Sequence, residues 1–132
     1  MSTGIDRPGR PRVLVVDADD RVRQSLIGLL GIGGRLDVVG DTGGPDEALR
    51  LAGSARPDVV VIDPRLPGLE QGRACIRRLR AVVPGLRIIA LTCPESNGED
   101  DLDGLVDGAV RKTFRAGDLQ AAILTGGSSS PA

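Results

Sequence analysis

A chain of 132 residues with 17 basic and 18 acidic side chains has room for one buried core, and its near-zero net charge excludes a global basic field able to hold nucleic acid. The opening residues lack the apolar run of a secretory leader, and no stretch approaches the length of a membrane span. Two cysteines without metal-ligand spacing exclude a disulfide framework, so Cys75 and Cys93 read as reduced thiols in a cytoplasmic protein.

Residues 1–11, rich in Pro, Gly and Arg, and residues 126–132, GGSSSPA, are predicted to be flexible, the second as a tail or linker. Between them RVLVVD (12–17) reads as a buried strand. The next segment places Val22, Leu26, Leu29 and Leu30 on one helical stripe, with Asp19 or Asp20 set to cap it. LDVVG (36–40) is a second strand, followed by a helix that opens at Pro45 and turns Ala48, Leu49 and Ala52 inward. Pro57 ends that helix before a third strand, VVVID, finishing at Asp63.

After the PRLPG turn, Ile76, Leu79 and Val83 line one stripe of a helix that ends at Pro84 and Gly85. RIIALT (87–92) is a fourth strand. The segment 95–107 carries six acids and no base between Glu95 and Asp107, and its composition suits a solvated loop as well as a partner-binding helix. GAVRK (108–112) is a short fifth strand and AGDLQAAIL (116–124) a closing helix.

Five alternations of strand and helix with right-handed crossovers favour an open, doubly wound parallel sheet of order 2-1-3-4-5, with ligands beyond the carboxyl ends of its strands. On that side the strands end at Asp17, Asp63, Thr92 and Lys112. Two adjacent carboxylates form a hard, oxygen-rich place for Mg²⁺, and a carboxylate there can attack a phosphoryl group while a hydroxyl and an ammonium bind its oxygens. Each residue also has an ordinary reading, as a helix cap or polar strand end. Lys112 is the only lysine, all other basic residues being arginines. A compact ammonium wanted at one point explains this, and so does a chance surface lysine.

The motifs VLVVDADDRVRQSL, RPDVVVIDPRLPGLEQG, RIIALT and Lys112-Thr113-Phe114, in that order and spacing, resemble the receiver domain of two-component response regulators over residues 12–125. The stretch from Asp37 to Asp63 is most similar to receivers that precede a LuxR-type helix-turn-helix domain. The resemblance implies a flavodoxin-like (βα)5 fold in which Asp63 is the phosphoryl acceptor, Thr92 the switch hydroxyl and Lys112 the phosphate-binding lysine. It implies Mg²⁺ held by Asp17, Asp63 and the Arg65 carbonyl, with Asp19 as a further candidate. It also implies a histidine kinase or small phosphodonor as the source, and a protein partner, output domain or second copy contacting the face built from residues 95–125.

Three positions depart from the family pattern. Ala18 stands where a second metal-holding acid is usual, which implies reduced metal affinity. Pro64 follows the acceptor and has no N–H to offer a phosphoryl group, and Ala109 replaces the usual switching aromatic. These departures keep open a pseudo-receiver, a binding module that works without phosphorylation. A nucleotide-binding enzyme is disfavoured, because no βα turn carries a glycine-rich phosphate loop and the chain has no histidine.

Overall fold

The computed structural model describes residues 10–92, 104–112 and 116–124. Along the chain lie β1 (Arg12–Val16), α1 (Asp20–Gly31), a 3-10 turn (Ile32–Gly34), β2 (Asp37–Thr42), α2 (Pro45–Ala55), β3 (Val59–Ile62), α3 (Leu69–Val82), β4 (Arg87–Thr92), β5 (Gly108–Arg111) and α4 (Ala116–Leu124). The strands form one parallel sheet of order β2-β1-β3-β4-β5, as the alternation of strand and helix predicts.

Period-two alternation divides the core between the two faces of this sheet. Val13, Val15, Val59, Val61, Ile89 and Leu91 meet Leu26 and Leu30 of α1 and Leu119 and Ile123 of α4. Leu14, Val16, Val60, Ile62 and Ile88 meet Ala48 and Ala52 of α2 and Ile76 and Leu79 of α3. Because both faces are covered, β3 is apolar at every position and all four of its residues are buried. Each such aliphatic side chain contributes about 1.5–3 kcal/mol by leaving water.

The helix ends are secured from neighbouring elements. α1, α2 and α4 carry no basic residue in their last turns, where backbone carbonyls lack helical partners. Arg12 on β1 donates to the Ala55 carbonyl at 2.6 Å. Arg87 on β4 donates to the carbonyls of Ala122 and Ile123 at 3.1 and 2.9 Å, and Gln120 on α4 to those of Leu29 and Ile32 at 2.9 and 2.8 Å. The two arginines also bring positive charge to the negative ends of helix dipoles.

Strand boundaries differ from the apolar runs in β1, β2, β3 and β5. β2 continues through Asp41 and Thr42, beyond the predicted end at Gly40, because both pair with Val15 and Val16 after a register shift between Val13 and Leu14. Backbone pairing carries this strand past its last apolar residue. β1, β3 and β5 stop one residue short of their predicted ends, which leaves Asp17, Asp63 and Lys112 just beyond the sheet. Most of the acidic 95–107 segment, Cys93, Phe114, most of the predicted N-terminal tail and all of the C-terminal one lie outside the described residues. At the start of the described chain, the Asp37 N–H donates to the Pro11 carbonyl at 2.9 Å.

Candidate functional site

Hydrogen bonding between neighbouring strands runs one residue past three strand ends and fixes the backbone of the polar residue found there. The Asp17 N–H donates to the Thr42 carbonyl at 3.0 Å, that of Asp63 to Val16 at 3.0 Å, and that of Lys112 to Thr92 at 2.8 Å. The sheet therefore delivers Asp17, Asp63 and Lys112 to one rim, with Thr92 as the last residue of β4 beside them.

The three charged side chains meet. Lys112 Nζ donates to Asp63 Oδ2 at 2.6 Å and lies 2.9 Å from Asp17 Oδ2. Asp17 is almost fully buried, whereas Lys112 and Asp63 keep 19% of their side-chain surface. Asp17 Oδ2 is paired by charge but has no aligned hydrogen bond. Burial works against the ammonium, yet the hydrogen bond to Asp63, the contact with Asp17 and the charge of both carboxylates outweigh it, so the Lys112 pKa lies above its ordinary value.

The remaining carboxylate oxygens are oriented by local backbone. The Asp19 N–H donates to Asp17 Oδ1 at 2.9 Å, and the Arg65 N–H to Asp63 Oδ1 at 2.9 Å. Pro64, without an N–H, is buried between Asp63 and Arg65, and the Leu66–Pro67 peptide beyond is cis.

Ala18 is exposed at the rim. The Asp19 side chain caps α1 by accepting from the N–H groups of Arg21 and Val22, and Asp20 pairs with Arg23. Asp17 and Asp63 thus form a two-carboxylate set, and among the described residues no group of three His, Cys, Asp or Glu side chains could hold a metal. Two hard donors, one with a buried oxygen lacking a hydrogen bond, fit a Mg²⁺ ion that fills its sphere with water and phosphate oxygens.

Two contributors are not evident from strand-end polarity. Arg23 on α1 donates to the Asp17 carbonyl at 2.7 Å and to Asp41 at 3.0 Å. Gly72, inside α3, packs so tightly on Pro64 that a Cβ there would overlap the Pro64 carbonyl oxygen. A glycine in a helical pattern is a sequence signal of such close approach. Arg23 gives no comparable signal among the other arginines.

A family model described as the response regulator receiver domain matches residues 13–124. The DNA-binding transcriptional activator DevR/DosR of Mycobacterium tuberculosis is 39% identical over 118 residues, covering 85% of this chain and 52% of that protein. Response regulator MprA of Mycolicibacterium vanbaalenii is 38% identical over 112 residues, covering 83% of this chain and 47% of its own length. The chain thus spans about half the length of these two curated relatives. Among solved structures, a LuxR-family two-component response regulator from Aurantimonas superposes with a TM-score of 0.76 at 29% identity, covering 92% of this chain and 91% of that one. The signal receiver domain of NarL from Mycobacterium tuberculosis does so at 0.74 and 24% identity, covering 89% and 96%, a likeness of fold. With the sheet order and the rim of Asp17, Asp63 and Lys112 in place, the match over residues 13–124 establishes that the chain belongs to the response regulator receiver domains of two-component signalling.

Proposed function

We propose that Asp63 accepts a phosphoryl group from a histidine kinase or small phosphodonor and that the chain passes this event on by protein contact. The observation that carries the reading is the Lys112 ammonium, 2.6 Å from Asp63 and 2.9 Å from Asp17. An Asp63 oxygen attacks phosphorus as the donor's leaving group departs, forming an acyl phosphate. Lys112 offsets charge on the phosphoryl oxygens, and the Thr92 hydroxyl binds one of them. The Arg65 N–H stands beside the acceptor where Pro64 offers none.

Receiver domains bind Mg²⁺ at the phosphorylation site. Here Asp17 and Asp63 would hold it with the Arg65 carbonyl, and Asp19, already capping α1, is the weaker candidate. When bound, the ion would supply positive charge to offset that of the phosphoryl oxygens. With Ala18 in place of a second acid, its affinity is reduced. The 95–125 segment, of which β5 and α4 are described, is the proposed surface for an output domain, protein partner or second copy. A cytoplasmic location accords with this reading, and among the described residues no helix is long and apolar enough to cross a membrane.

Incubation with acetyl phosphate and Mg²⁺ tests the proposal. One phosphoryl mass should appear and be lost in Asp63→Asn, whereas an unmodified wild-type spectrum beside a labelled control receiver rejects it. A second reading, a receiver fold acting without phosphorylation, is favoured by the two-carboxylate set and the exposed Ala18. Amide shifts at Asp17, Asp63, Thr92 and Lys112 on titration with Mg²⁺ and beryllofluoride support the switch; silence there supports the second reading.

A further inference from the structure

The geometry points to Arg23 as a positioning residue that sets the orientation of the Asp17 carboxylate toward a divalent cation. This rests on the reading of Asp17 as a metal-holding residue.

Arg23 sits in the first turn of α1 with 15% of its side chain exposed, and its guanidinium joins three segments. Nη1 donates to the Asp17 main-chain carbonyl at 2.7 Å, Nε to Asp41 Oδ2 at the end of β2 at 3.0 Å, and Nη2 to Asp20 at the start of α1. The rigid fork of a guanidinium makes several bonds at once with little loss of freedom, and bonds to carboxylates are charge-assisted. A lysine would not span the same three acceptors.

Asp17 depends on such a brace. Its carboxylate is held at Oδ1 by the Asp19 N–H, 2.9 Å away, and at Oδ2 by the charge of Lys112. If the peptide between Asp17 and Ala18 rotates, the Asp19 N–H moves off Oδ1 and only the charge of Lys112, which fixes no orientation, still holds the carboxylate. The Ala18 methyl group is exposed and offers no tether. Arg23 holds the carbonyl of that peptide, while the Thr42 carbonyl holds the Asp17 N–H at 3.0 Å on the other side.

The chain leaves space for this arrangement. A Cβ on Gly43 would lie 2.7 Å from Arg23 Nη1 and 3.4 Å from the Asp17 carbonyl oxygen, so a larger residue there pushes the guanidinium off its acceptor. Gly43 therefore provides a second way to disturb the brace, with every charge retained.

The test titrates the ¹⁵N-labelled chain with Mg²⁺ alone and follows the Asp19 amide, which donates to Asp17 Oδ1. In the wild type this amide should shift and saturate. In Arg23→Gln the midpoint should rise about tenfold or more, the usual cost of losing a residue that orients a metal ligand, while the amides of Val15 and Val61 hold their positions. Gly43→Ala should move the midpoint the same way by a smaller factor, and it decides the matter if Arg23→Gln does not fold. A purely structural role lowers the melting temperature and leaves the midpoint within twofold of wild type; that result in a folded variant overturns the inference. A wild-type Asp19 amide that ignores Mg²⁺ instead sinks the reading of Asp17 as a metal holder.

Discussion

Gly72 of α3 lies against the carbonyl of Pro64, with no room between them for a Cβ. This contact seats the helix on the turn that leaves Asp63. Glycine inside a helix costs about 1 kcal/mol relative to alanine, so an alanine would be expected to stabilise α3 if the neighbouring carbonyl were absent. With the carbonyl present the sign reverses. Gly72→Ala should lower stability by about 3 kcal/mol, because backbone rather than a flexible side chain must move, and urea unfolding measures it. A neutral or stabilising result would mean that α3 slides freely on the turn.

Lys112→Met should cost about 2 kcal/mol at neutral pH, less than a fully buried ion pair because Lys112 and Asp63 keep some exposure. The folded-state pKa of Lys112 is raised above its ordinary value of 10.5. Its contribution is therefore fully present below that value and lost as pH rises through the folded one. The gap between wild type and variant should stay constant through neutral pH and close only in strongly alkaline solution, as read from urea midpoints across pH. A gap that closes near neutrality contradicts the ion-pair account.

Ala18→Asp should strengthen Mg²⁺ binding by about tenfold, since each added carboxylate raises the charge and ligand count of the site. Without metal the variant should be less stable than wild type, because a third carboxylate joins Asp17 and Asp63 around one ammonium. Isothermal titration with Mg²⁺ and thermal melts with and without the ion check both halves. Unchanged affinity would show that position 18 does not face the metal.

Arg87→Ala removes the donor to the Ala122 and Ile123 carbonyls and should cost about 1.5–3 kcal/mol, the range for hydrogen bonds involving a charged group. The loss should be local first, so amide exchange in α4 should quicken before exchange in β1 or β3. Equal protection of α4 in both proteins would mean that its end is held by packing alone.

Much of this was legible in the residues themselves, and the exceptions share a cause. Val59 to Ile62 announce a doubly buried strand because four adjacent apolar residues have no solvated face. Leu26 and Leu30, and Ile76 and Leu79, recur at helical spacing, so both helix faces were readable. Asp41 and Thr42 were missed as strand residues because a polar edge strand is defined by its partner rather than by its side chains. Asp19 was readable both as a cap and as a candidate metal ligand, and it is the Arg21 and Val22 amides that engage it here.

The alternation of apolar runs and helical stripes determined on its own that this chain is a doubly wound sheet, and it set Asp17, Asp63, Thr92 and Lys112 at strand ends. That information is local, since side-chain direction follows from periods of about two and 3.6 residues. Tertiary structure alone decided that Lys112 reaches both carboxylates, that Arg23 braces the carbonyl of Asp17, and that Gly72 closes on Pro64. These contacts depend on angstrom-scale distances between segments far apart in the chain, set by how the helices pack on the sheet, which no spacing along the sequence encodes.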